Sequence, residues 1–313
     1  MKKLFLIAVF LLFMAATCFS ANQEERYAIA VLPTPVLNTP DIACVFGGPD
    51  GKTLRTDSCG QFRALEFVAL PATPFRIEET IRRGNEIVYR VATDDYPYPA
   101  TSGYFIDSRF VMTTPVEPPA RPRVLPPPAK VIANLLAAQG SVYVWGGNVR
   151  GGIPEMLSFF PSPQHLPPGP KTADPRQLRG VDCSGLLYEA TGGVTPRNTS
   201  ALVNFGTPVP IAGLGTADIV RRMEPLDLIV WQGHVMIVLD RERVIESRLD
   251  CTGKQGGVRV RPLHAALNDI MKGRSPVDDF GEAAARGTKG FVVRRWYGPA
   301  ASTLLEPAFS GKE

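Results

Sequence analysis

Val181-Asp182-Cys183-Ser184-Gly185-Leu186-Leu187-Tyr188-Glu189-Ala190-Thr191-Gly192-Gly193 is a polar residue, a short apolar run and a double-glycine stop. It predicts a helix of about two to three turns, with Asp182 as N-cap and Cys183 in the first turn. A thiol there stands at the positive end of the helix dipole. Such a position lowers a thiol pKa from its usual ~8.5 and favours the nucleophilic thiolate. Against this stands the commoner fate of a single cysteine, burial as a small hydrophobe. The rest of the chain decides between the two.

Downstream, Met223-Glu224-Pro225-Leu226-Asp227-Leu228-Ile229-Val230-Trp231 ends as an apolar strand, and Gln232-Gly233 leads into a second, His234-Val235-Met236-Ile237-Val238-Leu239. A polar turn, Asp240-Arg241-Glu242-Arg243, precedes Val244-Ile245-Glu246-Ser247. If that turn closes a hairpin, His234 and Glu246 lie on adjacent antiparallel strands, about 5 Å apart or somewhat more on the diagonal. Cys183, His234 and Glu246 then have the nucleophile, base and orienter order of a triad. Upstream, Tyr143-Val144-Trp145-Gly146-Gly147 places paired glycines where the backbone turns tightly beside a site.

Taken together, Tyr143-x-Trp145-Gly146-Gly147, Asp182-Cys183-Ser184-Gly185, Pro196-Arg197, Pro225-x-Asp227-Leu228, His234-Val235-x-Ile237 and Ile245-Glu246-Ser247 resemble, in this order, the NlpC family of bacterial cell-wall cysteine endopeptidases. The resemblance covers residues 129–297. It implies a papain-like α+β domain, an antiparallel sheet with helices, that hydrolyses peptidoglycan stem peptides, typically at the D-γ-glutamyl–diamino acid bond, with no cofactor and no metal. By position Cys183 is the nucleophile, His234 the general base and Glu246 the orienting group. Tyr143, Asp182, Ser184 and Arg197 are the expected substrate-binding residues, Tyr143 beside the substrate or the oxyanion, Asp182 and Ser184 at a free stem amine. Glu246 stands where His, Asn or Gln is usual, and Leu226 where glycine is common. The alternatives are an N-acetylmuramoyl-L-alanine amidase or acyltransferase on the same scaffold, and a catalytically silent wall-binding protein.

Outward from this core, the first 20 residues have a basic start, Lys2-Lys3, and a short apolar run, which read as a secretory signal peptide. The run is too short for a membrane span, so no integral membrane segment is expected after cleavage. The protein is expected to be exported to the periplasm or cell envelope, or secreted. Cys18, after Ala15-Ala16-Thr17, is a weak match to a lipoprotein site. A formal charge of +4, two units of it in the leader, does not suggest a nucleic-acid partner. Residues 22–114 show short strand-like pieces between Pro, Gly and Asp clusters, an all-β pattern of small-barrel size. Its last strands resemble those of bacterial SH3-like domains. Tyr96 and Tyr98 there either bind glycan or peptide or pack locally. A proline-rich linker, 115–128, separates this unit from residues 129–313. The second unit opens on a helix at 129–138. Residues 148–180 form a proline-rich insertion, either a wall or lid of the cleft or a passive surface loop.

Of five cysteines, Cys44 and Cys59 are spaced to close a loop of about 15 residues, worth about 3 kcal/mol in a chain-entropy picture. Cys251 is expected as a free buried thiol. No CxxC pair exists and the histidines number three, which argues against zinc. His165 and His264 read as structural or exposed.

Overall fold

The computed structural model describes residues 26–47, 53–160, 174–252 and 256–297. The leader with Cys18, residues 161–173 of the insertion with His165, and residues 298–313 lie outside these.

The first lobe contains β1 (Tyr27–Ala30), β2 (Thr34–Leu37), a short α1 (Ile42–Phe46), β3 (Leu65–Ala69), β4 (Pro74–Arg83), β5 (Glu86–Ala92), β6 (Tyr104–Asp107) and β7 (Val111–Thr114). The strands form one antiparallel sheet in the order β3-β2-β6-β5-β4-β1-β7. The expected SH3-like barrel is not closed here, because the two outermost strands, β3 and β7, do not pair among the described residues. Asn148 caps the β3 edge, its side-chain amide donating to Val68 O at 2.8 Å and accepting from Val68 N at 3.0 Å. β2 holds Pro35, and β4 turns a charged face to solvent. Tyr96 stacks on Phe67 at 4.3 Å and meets Tyr98 and Tyr104 edge-on, so these rings pack locally.

The second lobe begins with α2 (Pro128–Ala137), then β8 (Asn148–Val149), α3 (Met156–Phe159), β9 (Gly180–Val181), α4 (Cys183–Ala190), α5 (Thr199–Leu202), β10 (Thr207–Val209) and α6 (Thr216–Arg222). It continues through β11 (Leu228–Trp231), β12 (His234–Val238), β13 (Arg243–Arg248), β14 (Gly257–Pro262), α7 (Leu263–Met271), β15 (Ser275–Pro276), α8 (Phe280–Ala285) and β16 (Gly290–Arg295). The sheet runs β10-β16-β11-β12-β13-β14, antiparallel, with β15 added parallel to β16. Alternation along the strands fills both faces. Val235, Ile237 and Ile245 meet Leu186 and Leu187 of α4 and Val131 and Leu135 of α2. Met236, Val238 and Val244 meet Ile219 of α6 and Leu263 and Leu267 of α7. The whole is a mixed α/β molecule built on antiparallel sheets.

Leu226 adopts φ +72°, the left-handed region that favours glycine. An L side chain there costs about 1–2 kcal/mol. Buried packing, its N–H on Val238 O and the Trp296 indole on its carbonyl hold it in place.

Three devices join the lobes. Linker Arg121 is buried between Asp95 of the first lobe, at 2.8 Å, and the carbonyls of Gly192 and Gly193 that follow α4, at 3.1 and 2.9 Å. The described flanks of the insertion bury Ile153, Met156, Phe160 and Leu178 in the first lobe's core, beside Phe46 and Phe62. These flanks are therefore core, and neither a lid nor a passive loop. The third device is covalent. Cys59 is bonded to Cys251, 192 residues away, while Cys44 is free and half-buried. This corrects both the expected Cys44–Cys59 pairing and the expected free Cys251. Spacing along the chain favoured the short loop, but folding brings the 59 and 251 loops together.

Candidate active site

α4 forms as its sequence predicts. Asp182 caps it, accepting the Gly185 N–H at 2.6 Å. Gly185 is required on steric grounds, since a Cβ would stand 2.0 Å from Gly147 O. Gly146, at φ +69°, turns the chain so that this carbonyl can come close. The Cys183 thiol is buried, at 7% residue exposure. It faces the backbone on both sides of His234, lying 4.0 Å from Gly233 O and accepting from the N–H of Val235 as well as that of Ser184.

The surroundings of Cys183 act against the thiolate expected from the helix dipole. Burial pushes the thiol up to about 12, and the adjacent Asp182 carboxylate adds to the shift. Arg197 and the two N–H groups pull the other way without prevailing. Desolvation of an anion outweighs a half-charge at a helix end.

His234 opens β12 and Glu246 lies on β13, as the hairpin reading expects. The strands pair Ile237 with Ile245, which puts His234 and Glu246 on a diagonal. Nε2 of His234 meets Glu246 Oε2 at 2.7 Å, leaving Nδ1 as the ring nitrogen turned away from the carboxylate. Glu246 is fully buried. Its other oxygen accepts from Arg259 Nε and Nη2 and from Arg261 Nη1, each at 3.2 Å. Burial opposes its ionisation, yet His234 and the arginines prevail and hold it at about 2. Ser247 Oγ then ties β13 to Val181 O at 2.7 Å, one residue before the cap of the cysteine helix.

Asp182, Ser184 and Arg197 are drawn together beneath the thiol. Arg197 donates to both Asp182 oxygens at 3.0 and 2.7 Å, to Ser184 Oγ at 3.0 Å, to Asn148 Oδ1 at 3.1 Å and to Gly147 O at 3.1 Å. Their polar atoms face one another inside the protein. Tyr143 lines the cleft beside His234 and Gly233. Burial first, and then the charges of Asp182 and Cys183, raise its phenol and keep it a hydrogen-bond donor.

No protein-family model matches the sequence, and no curated protein matches it. Among solved structures, an NlpC/P60 family protein from Bacillus cereus ATCC 10987 aligns at 16% identity with a TM-score of 0.30. The alignment covers 78% of this chain and 60% of that one, so the chain spans less than two thirds of that protein's length.

Several participants escape a reading of motifs. Arg259 and Arg261 carry a signal in the alternation Val258-Arg259-Val260-Arg261, which places both on the Glu246 face of the sheet. Asn148 and Trp231 carry none. Trp231 lies 5.2 Å from the His234 ring, centroid to centroid. His264 is exposed on α7, where its ring contacts Asn268. Among the described residues no cluster of three or more His, Cys, Asp or Glu has the arrangement of a metal site, and no helix is long and apolar enough to cross a membrane.

Proposed function

We propose that the protein is an exported cysteine peptidase of papain-like design that hydrolyses the D-γ-glutamyl–diamino acid bond of peptidoglycan stem peptides. One observation carries the reading. The thiol at the start of α4 sits against the backbone on both sides of His234, while His234 Nε2 is held by a fully buried Glu246. The ordered motifs from Tyr143 to Ser247, which resemble the NlpC family, point to the substrate class.

Because burial favours the neutral thiol, the order of events begins with proton transfer. As sulfur attacks the carbonyl carbon its proton passes to His234, the C–S bond forms and the carbonyl π electrons move to oxygen. That oxyanion is met by the first-turn amide of Cys183 and the Tyr143 phenol. Imidazolium then protonates the leaving nitrogen as the C–N bond breaks. Water, deprotonated by His234, attacks the thioester, and sulfur leaves and regains its proton. Glu246 stays ionised throughout, so the imidazolium always has its partner. Asp182, Ser184 and Arg197 act as positioning residues for the nucleophile turn, since each spends its polar atoms on the others.

Mass spectrometry of defined tri- and tetrapeptide stems, with and without muramic acid, tests the reading on the mature protein and on Cys183→Ala. Cleavage after D-γ-glutamate by the wild type alone is the expected result. A cut between muramic acid and L-alanine would replace it with the amidase reading. No cut, together with a Cys183 that resists alkylation even at alkaline pH, would replace it with a silent wall-binding protein.

A further inference from the structure

A cavity of about 810 Å³ is lined by Tyr143, Trp231, His234 and several cations. Its charges do not balance. The single carboxylate among the lining residues, Asp269, is already held by Arg261 and by Lys272 Nζ at 2.7 Å. Arg261 in turn also serves Glu246. Three lining cations, Arg248, Arg274 and Lys289, have no carboxylate partner among the described residues.

Their placement is specific. The Arg274 guanidinium lies 4.8 Å above the Trp231 ring, and Trp231 in turn lies against His234. Its hydrogen bond within the protein is a long one, 3.4 Å to Gly290 O. Desolvation there lowers its pKa, with no anion to offset the cost. Continuing the β12–β13 register places Arg248 directly across from His234. A planar guanidinium stacked on an aromatic face, with most of its donors unspent, is suited to bidentate recognition of a carboxylate. Two more cations at the rim strengthen the local positive potential.

We propose that this cavity is a carboxylate-binding subsite, and that the amine component released from the substrate carries the carboxylate it takes. The assignment to the amine side rests on the peptidase reading. His234 protonates the leaving nitrogen, and His234 lines this cavity, so the leaving component is the part that enters it. The acyl side of the bond is not asked to be charged.

The test uses two stem tripeptides that differ only on the diamino acid, with its carboxylates free in one and amidated in the other. Binding is measured with the mature Cys183→Ala protein at low salt, and turnover with the wild type. At least tenfold tighter binding of the free acid is expected, together with a lower KM for it. The preference should shrink severalfold in Arg274→Gln and collapse in Arg274→Gln/Lys289→Gln, and it should weaken as salt is raised. Equal binding of acid and amide overturns the subsite, as does a preference that survives the double variant. The two readings fail separately. If neither peptide is cut but Cys183→Ala still prefers the acid, the subsite stands and hydrolysis falls. If both are cut with equal KM, hydrolysis stands and the subsite falls.

Discussion

The two sides of Cys183 are built on opposite principles. Beneath the thiol, Arg197, Asp182, Ser184 and Asn148 form a buried network in which each polar group answers another, and Asn148 extends it to the edge strand of the first lobe. Beside His234, Arg248, Arg274 and Lys289 line open space, and none of them has a carboxylate partner among the described residues. A satisfied network specifies one arrangement. Unspent cations belong to a surface that meets a ligand. The buried network holds Cys183 in place and the cavity is left open to the carboxylate proposed above, while the first lobe supports the floor of the site as well as its rim.

The rim offers the largest expected effect. Gln61, two residues from Cys59, accepts the Trp145 N–H at 2.9 Å, and Arg63 covers the Trp145 ring at 4.1 Å, so the disulfide fastens one wall of the cleft. For a loop this long, chain entropy assigns the bond up to about 5 kcal/mol of unfolding free energy. The Cys59→Ser/Cys251→Ser variant is expected to lose most of that in denaturant titration, yet to keep its kcat, because the buried network still joins the lobes. A loss of kcat equal to the loss of stability would erase the distinction between floor and rim.

Arg197→Met attacks the floor. It leaves the Asp182 carboxylate buried without its cation, a change that costs about 3–5 kcal/mol. Stability and kcat should fall together here, in contrast to the disulfide variant. Arg197→Lys, which keeps the charge but lacks the fork, should recover part of the stability and little of the kcat. A fully active Arg197→Met would show that the network does not position the nucleophile.

Glu246 sharpens the comparison through pH. Its folded pKa is depressed from the usual 4.5 to about 2. The stability it contributes is therefore complete above pH 4.5 and is lost as pH falls toward 2. It amounts to on the order of 3 kcal/mol. Unfolding titrations between pH 5 and 2 should show this loss in the wild type and not in Glu246→Gln. An identical acid slope in the two proteins would mean that Arg259 and Arg261 do not hold the carboxylate in its ionised form.

Much of the site is legible in the chain because its parts are local. An N-cap, an apolar run and a glycine stop make α4 wherever it is placed, and alternation around a polar turn puts His234 and Glu246 on neighbouring strands. The thiol's ionisation is another matter. A helix end is visible in sequence, whereas the burial of the thiol and the Asp182 charge that act against it depend on the folded surroundings. Likewise Cys59 and Cys251 are invisible as partners across 192 residues, and the barrel expected of residues 22–114 gives way to an edge that Asn148 covers from the other lobe. Sequence alone determined which elements bear Cys183, His234 and Glu246, since capping and periodicity act within a few residues. Tertiary structure decided the direction in which Cys183 and Glu246 are shifted, the Cys59–Cys251 cross-link and which cations lack a carboxylate partner, because desolvation and ion pairing depend on what the rest of the chain brings within a few ångströms.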